Sequence, residues 1–103
     1  MTFGGRYPDP VRISRRQRHR PVVTVYTRKR CGLCRTAEQV VARVSGRSAD
    51  VELVDVDTDP ALADRYTVRV PVIAIDGVEI AEYQVDPRVL RAQLRAARHR
   101  AYP

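Results

Sequence analysis

Cys31 and Cys34 are the only cysteines in the sequence, and they bracket Gly32 and Leu33 in the stretch YTRKRCGLCRTAEQV, residues 26–40. Such a pair can clip a metal, staple the chain, or cycle between dithiol and disulfide. A structural zinc wants four ligands, and beyond the cysteines the only imidazoles are His19 and His99, at no familiar spacing. No metal site is expected. A disulfide closing so short a loop stabilises a fold by roughly 2 kcal/mol, less than the ~3 kcal/mol of a fifteen-residue loop. It makes a poor staple and a good switch.

The spacing also assigns roles. Side chains three apart in a regular helix have Cβ atoms about 5–6 Å apart, whereas a disulfide wants about 3.5–4.5 Å. Cys31 at a helix entrance, where the backbone is not yet helical, closes that gap. Unpaired N–H groups at a helix start favour a thiolate, which makes Cys31 the attacking thiol. The helix dipole contributes up to about 2 kcal/mol, whereas a solvated cation such as Arg28, Lys29 or Arg30 at ~7 Å adds about 0.6 kcal/mol before screening. Cys34, one turn further in, is expected to face the protein and to act as the resolving thiol.

The elements that must position this pair follow from residue 22 onward. VVTVYT reads as a buried strand; Leu33, Ala37, Val40, Val41 and Val44 then fall at helical spacing up to Gly46. VELVDVD alternates as a second strand, and Asp59-Pro60 is a cap-and-proline signal opening a short helix. VPVIAI and VEIAEY flank Asp76-Gly77, a hairpin turn, and Asp86-Pro87 opens a last helix with Val89, Leu90, Leu94 and Ala97 on its apolar side. The order is βαβ-α-ββα: an α/β fold with a four-stranded mixed sheet and helices on both faces.

This order, with VTVYTRKRCGLC at the first strand–helix junction and VRVPVIAIDG at the hairpin, resembles the glutaredoxin and thioredoxin-like redox proteins over residues 22–98, and among them small bacterial glutaredoxin-like proteins. The resemblance implies a thioredoxin-like, glutaredoxin-type fold and a thiol–disulfide oxidoreductase that reduces protein or mixed disulfides, with Cys31 and Cys34 catalytic. It also implies that Pro71 is the cis-proline facing the cysteines and shapes a substrate groove. A proline there lacks an N–H and leaves the backbone of Val70 free to pair with an extended substrate, and Tyr26 flanks the same site. Two departures matter. The Gly32-Leu33 pair matches neither the Pro-Tyr of dithiol glutaredoxins nor the Gly-Pro of thioredoxins. Where glutaredoxins carry Gly-Gly and then an aspartate for glutathione, this chain reads VEIAEYQVDPRV, so glutathione is expected to be a poor donor. Asp86 is assigned to helix capping.

Composition bounds the rest. A chain of 103 residues, 44% hydrophobic and 30% charged, reads as one soluble domain, with no apolar run long enough for a membrane span or secretory signal. A cytoplasmic monomer is expected, with no cofactor beyond the cysteine couple; its partners are a disulfide substrate and a thiol donor. The net charge is +7, of which residues 1–21, with six arginines against Asp9, carry +5. That stretch contains Pro8, Pro10 and Pro21 and no periodicity, and is read as a basic, disordered tail preceding a domain over 22–103. Nucleic acid is not the expected partner. Two other readings make different claims: an iron–sulfur carrier bridging a cluster between two copies through Cys31, and a nucleic-acid-associated module using the arginine-rich tail.

Overall fold

The computed structural model describes residues 19–100, except for the side chain of Arg100. Strand β1, Val22–Thr27, leads into helix α1, Gly32–Ser45, and then strand β2, Asp50–Asp55. A 3-10 turn over Val56–Thr58 and helix α2, Pro60–Tyr66, precede the hairpin of β3, Val72–Ile75, and β4, Val78–Glu82; helix α3, Pro87–Arg100, closes the fold. The sheet order is β2-β1-β3-β4, with β1 and β2 parallel and the other pairs antiparallel.

Local chemistry sets the joints. The Asp59 carboxylate accepts the Ala61 N–H at 2.8 Å, and Pro60 occupies the first helical position, where a missing N–H costs nothing. Asp86 repeats the cap by accepting the Arg88 N–H at 2.8 Å. Gly46, at φ 49°, ends α1 in a conformation that disfavours a side chain. Asp76 (φ 49°) and Gly77 (φ 85°) give the hairpin two left-handed residues in succession, as a two-residue turn matching strand twist requires.

Alternation along β1 sends Val23 and Val25 to the face covered by α1 and α3, where they pack with Ala37, Val41, Ile73 and Leu90. The opposite face is smaller: Val56, Tyr66 and Val72 pack with Tyr26, Leu62 and Val70 beneath α2. Helices therefore lie on both sides of the sheet. Coverage thins at the β2 edge, where Leu53 remains 56% exposed although its register partner Val25 is fully buried. The alternation in VELVDVD is compatible with either a central or an edge strand, and the pattern ends early because Val56 turns into the 3-10 segment.

Three residues just before β1 also contact the body of the fold. His19, Arg20 and Pro21, read from sequence as tail, are tied to the body: His19 Nε2 lies 2.7 Å from Asp76 Oδ2, Arg20 Nε donates to Asp50 at 2.8 Å, and the carbonyl of buried Pro21 accepts the Asp50 N–H at 2.9 Å. The rest of the proposed tail, residues 1–18, lies outside the described residues.

On the α2 side, Glu79 accepts from Arg69 and from the Tyr66 hydroxyl. The Arg69 hydrogen bond, before any other cause, holds the Glu79 carboxyl below its ordinary range. A lowered folded-state pKa stabilises above the unfolded value and is lost as pH falls through the folded one. Glu79→Gln should therefore flatten the acid limb of a stability–pH curve below about pH 5, leaving neutral-pH stability within roughly 1 kcal/mol because the pair is largely at the surface. Urea midpoints between pH 3 and 7 read this directly; an unchanged acid limb refutes the assignment.

Candidate active site

The sheet brings two loops together at one end. The C-terminus of β1 runs into residues 28–31, and the register pairing Tyr26 with Val72 puts Pro71, at the start of β3, beside that exit. The Val70–Pro71 peptide is cis, as expected, and Pro71 is buried.

Cys31 is the residue that caps α1. Its backbone is extended (φ −124°, ψ 105°), its carbonyl accepts the Arg35 N–H at 3.1 Å, and its Sγ accepts the Cys34 N–H at 3.1 Å. The sulfur thus stands where the unpaired amides of the helix point. Cys31 and Cys34 form a disulfide with Cα atoms 5.2 Å apart. Cys31 is half-buried and Cys34 completely so, which sets an approachable sulfur in front of a shielded one.

The basic run before Cys31 separates by role. Arg28 grips Asp57 with two hydrogen bonds of 2.7 and 3.0 Å and donates to the Thr67 carbonyl at 2.8 Å, clamping the active-site loop to the segments before and after α2. That hydrogen bond is the leading cause holding the Asp57 carboxyl below its usual range. Lys29 and Arg30 are exposed, with no carboxylate within ion-pair reach among the described residues. They are the cations left to meet an anionic partner.

Beneath the loop lies a cluster that sequence reasoning missed. The Thr27 hydroxyl donates to Glu38 Oε2 at 2.5 Å, and the Arg35 guanidinium donates to the same oxygen at 2.7 Å, to Thr27 Oγ1 at 3.0 Å and to the Arg28 carbonyl at 2.8 Å. The last residue of β1 is thereby fastened to the first turns of α1, on either side of Cys31. Glu38→Ala leaves a buried hydroxyl and a guanidinium without their acceptor, and should destabilise the fold by about 1–3 kcal/mol. Denaturant midpoints check this, with Glu38→Gln expected to recover part of the loss.

On the other side of Cys34, Leu33, Thr36, Ala37, Val40, Tyr83, Gln84 and Val85 line a cleft of about 180 Å³ that contains no charged side chain. Leu33 is 48% and Tyr83 43% exposed, so the apolar lip is open beside the disulfide. Tyr83 sits at φ 69°, a left-handed conformation costing a non-glycine residue about 1–2 kcal/mol, and its N–H donates to the Pro71 carbonyl at 2.8 Å. Leu33, expected from periodicity to join the core, instead belongs to this lip. Of the other named residues, Val70 adjoins the site, and neither its N–H nor its carbonyl has a hydrogen-bond partner among the described residues. Tyr26 faces the α2 side, its ring stacked on Tyr66 at 4.3 Å. Among the described residues, no group of three or more metal-ligating side chains comes together, and no helix is long and apolar enough to cross a membrane.

Comparison with known proteins adds four matches. Residues 22–95 match the model of the glutaredoxin-like domain (DUF836). The uncharacterized protein Rv0508 of Mycobacterium tuberculosis is 36% identical over 81 residues, spanning 73% of this chain and 84% of that protein. Among solved structures, the structural-genomics protein XcR50 from X. campestris aligns with 36% identity and a TM-score of 0.62, covering 72% of this chain and 96% of its own. A mutant thioredoxin from Halobacterium salinarum aligns with 26% identity and a TM-score of 0.58, covering 86% and 84%.

Proposed function

This chain belongs to the glutaredoxin-like domain (DUF836) family, and from that premise we propose that it is a dithiol oxidoreductase that reduces disulfides in extended polypeptide segments. The observation carrying the proposal is the unequal placement of the two sulfurs, Cys31 at the helix entrance accepting an amide N–H and Cys34 fully buried behind it. In the reduced protein the Cys31 thiolate attacks one sulfur of the substrate disulfide. A Cys31–substrate bond forms, and the other substrate sulfur leaves as a thiolate that takes up a proton. Cys34 then gives up its proton and attacks Cys31 Sγ, expelling the second substrate sulfur. Two electrons have passed to the substrate, and the Cys31–Cys34 disulfide remains for an external thiol donor to reduce.

The walls of the site suit a main chain better than a small thiol. The Val70 backbone offers an unpaired N–H and carbonyl to an extended strand, as in sheet augmentation, and Leu33 and Tyr83 offer an apolar seat for a flanking side chain. Lys29 and Arg30 favour acidic residues in the approaching segment.

The deciding experiment is a redox titration of the couple against glutathione or dithiothreitol buffers. A reversible two-electron transition between about −270 and −200 mV is expected, the range of reducing thioredoxins and glutaredoxins, whereas a potential near about −120 mV would make the couple an oxidant and overturn the direction proposed. A couple that stays oxidised below about −300 mV is structural, and overturns the proposal.

A further inference from the structure

Far from the disulfide, at the other end of α1, lies a groove of about 550 Å³. His19 and Arg20 line it from the N-terminal side of β1 and Arg91, Arg95 and Arg98 from α3, with Ser48 also in the lining. Val44 lies thirteen residues along α1 from Cys31, so at about 1.5 Å per residue the groove is roughly 20 Å from the active site.

The cations of the fold divide into those held by a carboxylate and those, such as Lys29 and Arg30, that are not. Arg28, Arg35 and Arg69 each pair with a carboxylate of the fold, and Arg20 pairs with Asp50. Arg91, Arg95 and Arg98 have none within ion-pair distance among the described residues. They stand at i, i+4 and i+7, on one side of α3, while Leu90, Leu94 and Ala97 bury the other. Like charges at such spacings repel by about 0.2–0.5 kcal/mol per pair. Only Arg98, in the last turn, is well placed to gain from the helix dipole. The fold thus keeps a row of repelling guanidiniums, one per turn and about 10 Å long, with no internal anion to offset it.

We infer that this groove is a binding surface for the phosphate backbone of nucleic acid. The row is linear and open, so it fits a chain of regularly repeated anions rather than a single phosphate, and guanidinium forks match phosphate oxygens in pairs. No Phe, Tyr or Trp lines the groove, and His19 is tied to Asp76, so the phosphates rather than the bases are what the row of guanidiniums reads. In sequence, Arg15, Arg16 and Arg18 precede His19 and lie outside the described residues. This departs from the reading that rests on the tail alone, because the groove is lined by residues of the folded domain. The inference is independent of the redox reading, since the disulfide at the opposite end stays accessible.

The test uses the full chain in its disulfide form and a fluorescent 20-nucleotide mixed-sequence single-stranded DNA, with anisotropy titrations between 50 and 200 mM NaCl. The wild type should bind, with log K falling linearly against log salt. The triple variant Arg91→Ala, Arg95→Ala, Arg98→Ala should lower that slope by about 2, near 0.7 per lost phosphate contact, and the corresponding triple Lys variant should keep it. Should the triple Ala variant fail to fold by circular dichroism, R91A and R95A singly should each lower the slope by about 0.7. No wild-type binding at 50 mM salt overturns the inference, as does a slope unchanged in the Ala variants. Equal competition by polyglutamate at matched charge also overturns it, and assigns the surface to an acidic polypeptide.

Discussion

Replacing Cys34 by Ser should convert a protein that turns over into one that stalls as a mixed disulfide through Cys31. Attack needs only the half-buried Cys31, whose Sγ accepts the Cys34 backbone N–H, a donor that serine retains. Release needs the second sulfur. Well-oriented intramolecular groups reach effective molarities of roughly 10⁵–10⁸ M, so even a small fraction of that exceeds an external thiol at millimolar concentration by orders of magnitude. Multiple-turnover reduction of a disulfide polypeptide should fall at least ~100-fold on this ground, while one equivalent of adduct accumulates. Mass spectrometry after digestion locates the adduct. Recovery of a stable adduct on Cys34 in the Cys31→Ser protein, and none on Cys31 in the Cys34→Ser protein, would invert the two roles.

What makes the placement of the two cysteines legible in sequence is that it depends on contacts close along the chain. A cysteine at a helix entrance, its partner three residues on, Asp59 before Pro60 and Asp76 before Gly77 are all local statements, and the backbone angles and caps bear them out. The expected α/β sheet follows because each period change is punctuated by such a signal. The features that escaped are those that require distant residues to meet. Thr27 and Glu38 are eleven apart and Arg28 and Asp57 twenty-nine apart; nothing in a charge run says which cation will be clamped and which left free. Likewise, alternation in β2 does not reveal that Leu53 lies on an uncovered edge, and helical spacing does not reveal that Leu33 sits outside the core. Val70 and Pro71 are singled out by resemblance rather than by periodicity, because the lack of backbone partners at Val70 among the described residues is defined only by the assembled sheet.

Glutathione should be a poor partner for this site, and the reason lies in the cleft. Glutathione carries two carboxylates and an ammonium, and a hydrogen bond to a charged group contributes about 1.5–3 kcal/mol. The cleft beside Cys34 offers Thr36, Gln84 and the Tyr83 hydroxyl as its polar groups, with no cation or carboxylate in its lining. Asp86, the nearby acid in sequence, is engaged as the cap of α3, and the Arg88 N–H holds its carboxyl below the ordinary range. Lacking even one charged contact costs roughly 10–150-fold at ~1.4 kcal/mol per decade. The kcat/KM for a glutathione mixed disulfide should therefore fall at least ~10-fold below that for a disulfide peptide bearing an apolar residue beside its cysteine. Gln84→Arg places a guanidinium on the cleft wall and should raise the glutathione value by about tenfold, leaving the peptide value within a factor of two or so. Brisk glutathione turnover by the wild type, or no response to Gln84→Arg while the peptide reaction holds steady, would mean that the small thiol enters elsewhere. The exposed pair Lys29 and Arg30, on the other side of Cys31, would then be the next place to look, and Lys29→Ala with Arg30→Ala the variant that decides.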